Sequence, residues 1–131
     1  MEFNGLIPEI TISDMNKSKQ FYIDILGFQL EYERLENKFA FISFEGSQIM
    51  LEQFHDDGWN IAELHYPFGR GINFSIEVSD IENLYHKLED VNYPLYRPLI
   101  CNAYKVNGKN VNQMEFLVQD PDGYLLRFTH E

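Results

Sequence analysis

An internal repeat limits what this chain can fold into. The segment Thr11–Met15, TISDM, recurs 66 positions later as Glu77–Ile81, EVSDI. Both copies follow residues of alternating polarity, which favour a strand, and both contain an Asp, a residue type that caps helix N-termini by accepting hydrogen bonds from unpaired amides. Each copy therefore predicts a strand that leads directly into a helix, and the same module is expected twice.

The two predicted helices are followed by similar runs of strands. The first helix is expected to end at Gly27, and the second cannot continue through Pro94. Gly46–Ser47 and Asp120–Gly123 are predicted as hairpin turns in the two halves. The further strands predicted from alternating or apolar runs are Gln29–Leu35, Phe39–Glu45, Gln48–Phe54, Leu95–Ala103, Gln113–Val118 and Tyr124–Thr129.

Each half therefore has the order βαβββ, and the predicted fold class is α+β. We expect two tandem βαβββ modules that form a concave half-barrel sheet with the helices outside. Residues 1–54 are predicted as the first module, 55–70 as a linker or lid loop, and 71–131 as the second module. The apolar faces of the strands should pack on the helices, and the mixed polar faces should line a concave side that binds ligand.

Composition narrows the class of partner. The net charge is −11, from 10 basic and 21 acidic residues. Nucleic acid is not expected as a partner, because its binding depends on Lys and Arg that neutralise phosphates. A cationic ligand would be attracted by the same charge, although an acidic surface can also serve solubility alone. No apolar run has the length of a membrane helix, so no membrane partner is expected.

A single cysteine indicates the cellular setting. Cys101 has no second cysteine to pair with, so no intrachain disulfide can form and a reducing cytoplasm is the predicted location. With no base beside it in sequence, Cys101 is predicted to be a buried small hydrophobe.

Three motifs carry a family resemblance. They are the two Ser-Asp turns of the repeat, Phe21-Tyr22 followed by Leu26-Gly27-Phe28, and the terminal Asp120–Tyr124, DPDGY. In this order and spacing, the sequence resembles the vicinal-oxygen-chelate superfamily, which contains glyoxalase I, extradiol dioxygenases and bleomycin-resistance proteins. The resemblance covers nearly the whole chain and implies the tandem fold described above. It specifies activity much less than fold.

Metal-dependent members of that superfamily place four ligands on the concave faces. The resemblance carries these positions to Ile7, Glu52, Asn73 and Arg127. Of these, only Glu52 is a credible ligand, because isoleucine has no donor, asparagine is a weak donor and arginine repels a divalent cation. We therefore predict no metal, no cofactor and no catalytic residue. Glu52 and Arg127 are instead expected to pair at the cavity floor, either in contact with ligand or as a structural pair.

Within the superfamily, the closest resemblance is to the bleomycin-resistance proteins. These are metal-free proteins that sequester the drug unchanged, usually as homodimers. Pro8, Tyr32, Lys38–Ala40 and the acidic Gly-Trp segment Asp56–Trp59 match positions in that group. One departure is the absence of a tryptophan before the last hairpin, where Tyr104 is the candidate substitute.

The predicted function is therefore a non-catalytic, homodimeric binding protein that gives resistance to a cationic antibiotic, a bleomycin-like drug first, by sequestration. The alternatives are a glyoxalase-like lyase, isomerase or dioxygenase with an atypical metal site, and a ligand-sensing or partner-binding module. Trp59 is open to two interpretations, a ligand wall or part of a dimer interface. The predicted ligand-binding residues are Tyr32, Phe39, Phe41, Glu52, Phe54, Trp59, Asn73, Tyr104, Asn112 and Arg127.

Overall fold

The computed structural model describes residues 2–131 and divides the chain into two units, one ending at Phe68 and the other beginning at Gly69. The first contains β1 (Glu9–Ile12), α1 (Met15–Lys19) continued by a π-helix (Gln20–Ile25), β2 (Gln29–Arg34), a 3₁₀ turn (Leu35–Asn37), β3 (Phe39–Phe44) and β4 (Ser47–Gln53). The second contains β5 (Asn73–Glu77), α2 (Ile81–Asp90), β6 (Arg97–Val106), β7 (Lys109–Gln119) and β8 (Leu125–His130).

The two units have the same sheet topology. The strand orders are β1-β4-β3-β2 and β5-β8-β7-β6, each an open four-stranded sheet. In both, the first strand pairs in parallel with the last, and the remaining pairs are antiparallel. The predicted α+β fold of two tandem βαβββ modules is confirmed. The division into 1–54, 55–70 and 71–131 stays a prediction.

Both helices begin at the predicted caps. The Asp14 side chain accepts hydrogen bonds from the amides of Asn16 and Lys17, at 2.9 and 3.3 Å. The Asp80 side chain accepts one from the amide of Asn83 at 3.1 Å. These bonds satisfy amides that have no partner within the helix, which is why the repeated Asp marks both helix starts.

The helices cover one face of each sheet, called the helix face here. In the second unit the Tyr85 ring of α2 lies 5.3 Å from Phe116, which lies 5.3 Å from Phe128. In the first unit Tyr22 of the π-helix packs on Phe28 at 5.4 Å. Side chains alternate along a strand, so neighbouring residues point to the opposite side, called the far face. The helix-face strand residues buried in this way include Ile10, Ile12, Leu51, Ile76, Phe116, Val118, Leu126 and Phe128.

Two hairpins differ from the sequence prediction. The β3–β4 turn is Glu45–Gly46, one residue earlier than predicted, with φ of 47° and 92°. The β6–β7 turn is Asn107–Gly108, with φ of 52° and 78°, so these strands extend well beyond the predicted Ala103 and Gln113 boundaries. Positive φ at both central residues matches the twist of the flanking strands, and Asn-Gly is the strongest sequence signal for such a turn.

The prediction for Cys101 is wrong. This thiol is exposed, and the strand that carries it, β6, is the edge strand of its sheet. Among residues 2–131, the structure has no helix long and apolar enough to span a membrane.

Candidate ligand-binding site

The strand register of the first unit gathers polar and aromatic side chains on its far face. Phe39 of β3 lies opposite Glu52 of β4 and Arg34 of β2. Glu9 of β1 lies opposite Met50 of β4. Residues directly opposite each other in neighbouring strands share a face and come within contact distance. Residues distant in sequence therefore meet in one patch.

A cavity of about 380 Å³ opens over this patch. Its size is within the range of small-molecule sites, roughly 300–1,000 Å³. Its wall combines negative charge with flat rings, together with Arg34, Met50, His55 and Gly58. The carboxylates are Glu9, Glu52 and Asp57, and the aromatic side chains are Tyr32, Phe39 and Trp59.

The aromatic residues form two different parts of the wall. Phe39 is largely buried and carries the Arg34 guanidinium 4.0 Å above its ring. The Tyr32 ring lies 5.8 Å from Phe39. Trp59, by contrast, is 93% exposed, so almost its whole indole remains free for contact with a ligand or another protein.

Local hydrogen bonds shape the loop that carries Trp59. The carbonyl of His55 accepts from the amide of Gly58 and the side-chain amide of Asn60, both at 3.0 Å. A Cβ at Gly58 would lie 3.1 Å from that same carbonyl oxygen, so glycine permits the close approach. These bonds fix the chain on both sides of Trp59.

The carboxylates of the cavity differ in their surroundings. The Glu52 Oε2 atom lies 3.7 Å from Nε2 of His55. Partial burial raises the pKa of Glu9 above its usual 4.5, and the negative charge of Glu52 raises this pKa further, while Arg34 acts in the opposite direction. Two neighbouring carboxylates with one cation near them leave this cavity suited to an additional positive charge.

The raised pKa of Glu9 predicts a pH-dependent effect of Glu9→Gln. As the pH rises past 4.5, Glu9 loses its proton in the unfolded state before it does so in the folded state. The free energy of unfolding of the wild type therefore falls with rising pH until the raised folded pKa has been passed. The stability of the variant relative to wild type should therefore increase as the pH rises from 4.5 to above the raised folded pKa, as measured by urea unfolding. Glu36→Gln, at an exposed position, is the control. The same pH trend in both variants would contradict the assignment to Glu9.

Two predicted residues of the first unit lie outside this cavity. Phe41 has no exposed surface, because Phe3 packs against its ring edge at 5.3 Å and Tyr32 stacks on it at 5.4 Å. Phe54 lines a separate cavity of about 470 Å³ with Leu64 and Phe68 among others. Four of the predicted residues of the first unit therefore line the cavity, namely Tyr32, Phe39, Glu52 and Trp59, whereas Phe41 and Phe54 do not.

The predicted residues of the second unit also separate. Arg127 and Asn73 alternate with the buried helix-face residues of their strands and so belong to the far face. Tyr104 lies opposite Val111, whereas Asn112 lies opposite Ala103, so Tyr104 and Asn112 point to opposite sides of the β6–β7 ribbon. Asn112 and Tyr104 therefore do not share one surface.

A buried acid that was not predicted organises the second unit's far face. Glu115 is 4% exposed and its Oε1 accepts hydrogen bonds from the Asn102 side chain, at 2.6 Å, and from the Tyr104 hydroxyl. Nη1 of Arg127 lies 3.7 Å from the other carboxylate oxygen. The hydrogen bond to Glu115 is the main cause of a raised pKa for Tyr104. The sequence signal was a lone charge inside the apolar run Met114–Val118.

The predicted contact between Glu52 and Arg127 joins the two units and stays a prediction. Within their own units, Glu52 is near His55 and Arg127 is near Glu115. Each therefore has an ionisable neighbour in its own sheet.

The donors at the family's metal positions do not fit a divalent cation. The parallel register pairs Ser75 with Arg127, and the equivalent pair in the first unit is Glu9 with Met50. Met50, not Glu52, is thus the repeat counterpart of Arg127. At the four positions that the resemblance assigns, only Glu52 offers a ligand that suits a hard divalent ion, since the others are Ile7, Asn73 and the guanidinium of Arg127. Within residues 2–131, no three His, Cys, Asp or Glu residues are grouped in a way that could hold a metal.

Comparison with known proteins identifies the class to which this fold and site belong. The chain belongs to the Glyoxalase/Bleomycin resistance protein/Dioxygenase superfamily, whose profile matches residues 7–128, so the resemblance predicted from the sequence is confirmed. It is 27% identical over 130 residues to a bleomycin resistance protein of Geobacillus stearothermophilus, covering 93% of this chain and 92% of that protein.

A further relative and a solved structure are also similar to this chain. The chain is 30% identical over 124 residues to a probable lactoylglutathione lyase of Synechocystis sp., covering 88% of this chain and 86% of that protein. The crystal structure of TioX from Micromonospora sp. ML1 matches with a TM-score of 0.74 at 15% identity, covering 98% of each chain. The last similarity concerns the fold alone.

Proposed function

We propose that this protein is a non-catalytic small-molecule binding protein that gives resistance to a cationic antibiotic by sequestration, a bleomycin-like drug first. The observation that carries the proposal is the first unit's cavity, which combines three carboxylates with three aromatic side chains. The similarity to a bleomycin resistance protein over most of both chains supports the same ligand class.

Simple physical chemistry links this cavity to such a ligand. A positively charged group gains from Glu9, Glu52 and Asp57, and flat rings gain from stacking against aromatic side chains. Trp59 supplies an exposed indole at the rim, and Tyr32 stands beside Phe39 within the wall. The net charge of −11 adds long-range attraction for a cation.

The remaining predicted contacts have different parts in the proposal. On the second unit, Asn73, Tyr104 and Arg127 are proposed as polar contacts. Phe41 is proposed to act through Tyr32, the ring that stacks on it. The positions of Phe54 in a separate cavity and of Asn112 on the opposite side from Tyr104 argue against direct contact by these two.

Titration calorimetry with metal-free bleomycin tests the proposal directly. We expect saturable binding with a Kd of about 1 μM or below, equivalent to roughly −8 kcal/mol, and an affinity that falls as salt screens the charges. Bacterial cells that express the protein should survive bleomycin concentrations that kill cells carrying an empty vector. Absence of both heat and protection would contradict the proposal.

We propose a cytoplasmic homodimer as the working form. The exposed Trp59 and Ile61, neighbours in one loop of the first unit, support association because exposed apolar side chains of this size commonly mark contact surfaces. The lone Cys101 supports a reducing compartment. Light scattering that shows only monomer at micromolar concentration would contradict the dimer.

A lyase is the second candidate function. The 30% identity to a probable lactoylglutathione lyase favours it, whereas the donors at the metal positions do not. Lactoylglutathione lyase activity, assayed with and without added Zn²⁺ or Ni²⁺, separates the candidates. Metal-dependent turnover would support the lyase, and none above background would support the binding protein.

A further inference from the structure

A second cavity of the first unit has the opposite charge. It measures about 210 Å³, and Lys19, Arg34 and Lys38 line it together with a single carboxylate, Glu33. We propose that this cavity, named the basic pocket, binds an oxyanion such as a phosphate, sulfate or carboxylate that is carried on a small apolar group. The proposal concerns a ligand of the opposite charge to the antibiotic and does not depend on sequestration.

The composition of the pocket contrasts with that of the chain. Acidic residues outnumber basic ones by 21 to 10 in the sequence. Around the basic pocket the ratio is reversed, with three cations and one carboxylate. A cavity in which cations outnumber carboxylates creates a local positive potential that attracts an anion even on an acidic protein.

Two of the three cations lack a carboxylate partner. Lys19 forms an ion pair with Glu33. In the described part of the chain, Arg34 and Lys38 have no carboxylate oxygen within 4.0 Å. Neither forms an ion pair, although Arg34 also lines the neighbouring cavity with Glu9 and Glu52. An oxyanion would therefore gain from both charges without first breaking an ion pair at either cation.

Lys38 is held through its backbone, and Arg34 is held through a contact of its side chain. Lys38 adopts a left-handed conformation with φ 49°, its amide donates to the carbonyl of Leu35 at 3.2 Å, and its own carbonyl accepts from the amide of Gln53 at 2.9 Å. The Arg34 guanidinium rests 4.0 Å above the Phe39 ring. Anchored side chains lose less conformational entropy when an anion binds.

The size and the apolar wall of the pocket indicate what kind of group is attached to the oxyanion. Met15, Leu35 and Phe39 supply apolar surface beside the cations. The volume lies below the roughly 300 Å³ typical of drug-sized sites, so it suits a charged head group with one small apolar group attached. Phenyl phosphate has this chemistry and is the probe used below.

Amide chemical shifts measured by NMR during titration test the proposal in the full-length protein. Phenyl phosphate should shift resonances around Lys19, Arg34 and Lys38 and bind about tenfold more tightly than inorganic phosphate, because the ring adds apolar contact. Phenol, which lacks the charge, should not bind. Stronger binding of inorganic phosphate than of phenyl phosphate would identify a site for the free anion and overturn the apolar-carrier proposal.

Variants with opposite expected signs separate binding from folding defects. Lys38→Gln keeps a polar side chain but removes the charge, and it should weaken the binding of phenyl phosphate about fivefold through loss of one charged contact. Glu33→Gln removes the only lining carboxylate and frees Lys19, so it should strengthen binding about threefold. Lys17→Gln, on the same helix as Lys19 but outside the pocket, should leave the binding of phenyl phosphate unchanged. Equal effects of Lys38→Gln and Lys17→Gln, or weaker binding by Glu33→Gln, would overturn the proposal.

Discussion

Replacing Gly69 by Ala is expected to destabilise the second unit by about 3 kcal/mol, combining backbone strain with overpacking. Gly69 has φ 70°, and a Cβ there would lie 2.4 Å from a ring carbon of Tyr124. The Tyr124 ring is largely buried and cannot simply move into solvent. Urea unfolding followed by circular dichroism measures the loss as a lower transition midpoint.

Gly71→Ala is the matched control for this prediction. Gly71 has φ 87°, a similarly unfavourable conformation for alanine, but an added Cβ would meet nothing within 4 Å. Its cost should therefore be limited to the backbone, about 1 kcal/mol. Equal destabilisation by the two substitutions would show that the close approach to Tyr124 contributes nothing.

Glu52→Lys is expected to weaken bleomycin binding about 100-fold, because it replaces an attractive carboxylate by an ammonium group inside the cavity. Glu52 lies opposite Phe39 and lines the cavity with Glu9, so the new charge would face the proposed position of the cation. Calorimetry gives the affinity, and unchanged far-ultraviolet circular dichroism confirms that the variant is folded.

The control separates local from long-range electrostatics. Asp24→Lys changes the net charge by the same amount at an exposed position of the first unit outside the cavity. It should alter the affinity less than about threefold, since solvent and salt screen distant charges. A similar loss in both variants would mean that overall charge, rather than the cavity, determines binding.

Local sequence signals predicted much of the fold because they act over few residues. An Asp at the end of a predicted strand predicted both helix starts, since capping needs only nearby amides. The π-helix Gln20–Ile25 could not be predicted this way, because its sequence is compatible with an α-helix and a π-turn adds only one residue to each hydrogen-bonded ring. The Asn107–Gly108 turn also carries a local signal, because Asn-Gly favours positive φ at both central residues.

The candidate site was harder to predict because it depends on pairing between strands. The register of β2 shifts between Leu30 and Tyr32, and this irregularity decides that Tyr32 lies opposite Phe41. Sequence alternation alone cannot place such a shift. The same limitation explains why Glu9, Arg34 and Glu115 were not predicted, whereas Phe39 and Glu52 were predicted through a family resemblance.

Arg34 lines both cavities of the first unit, one rich in carboxylates and the other in cations. A ligand in either cavity that shifts this guanidinium away from Phe39 changes the charge environment of the other cavity. Thermodynamic linkage then requires that each ligand change the affinity of the protein for the other ligand by the same factor. Measuring each dissociation constant in the presence of the other ligand would therefore give one coupling free energy, obtained twice.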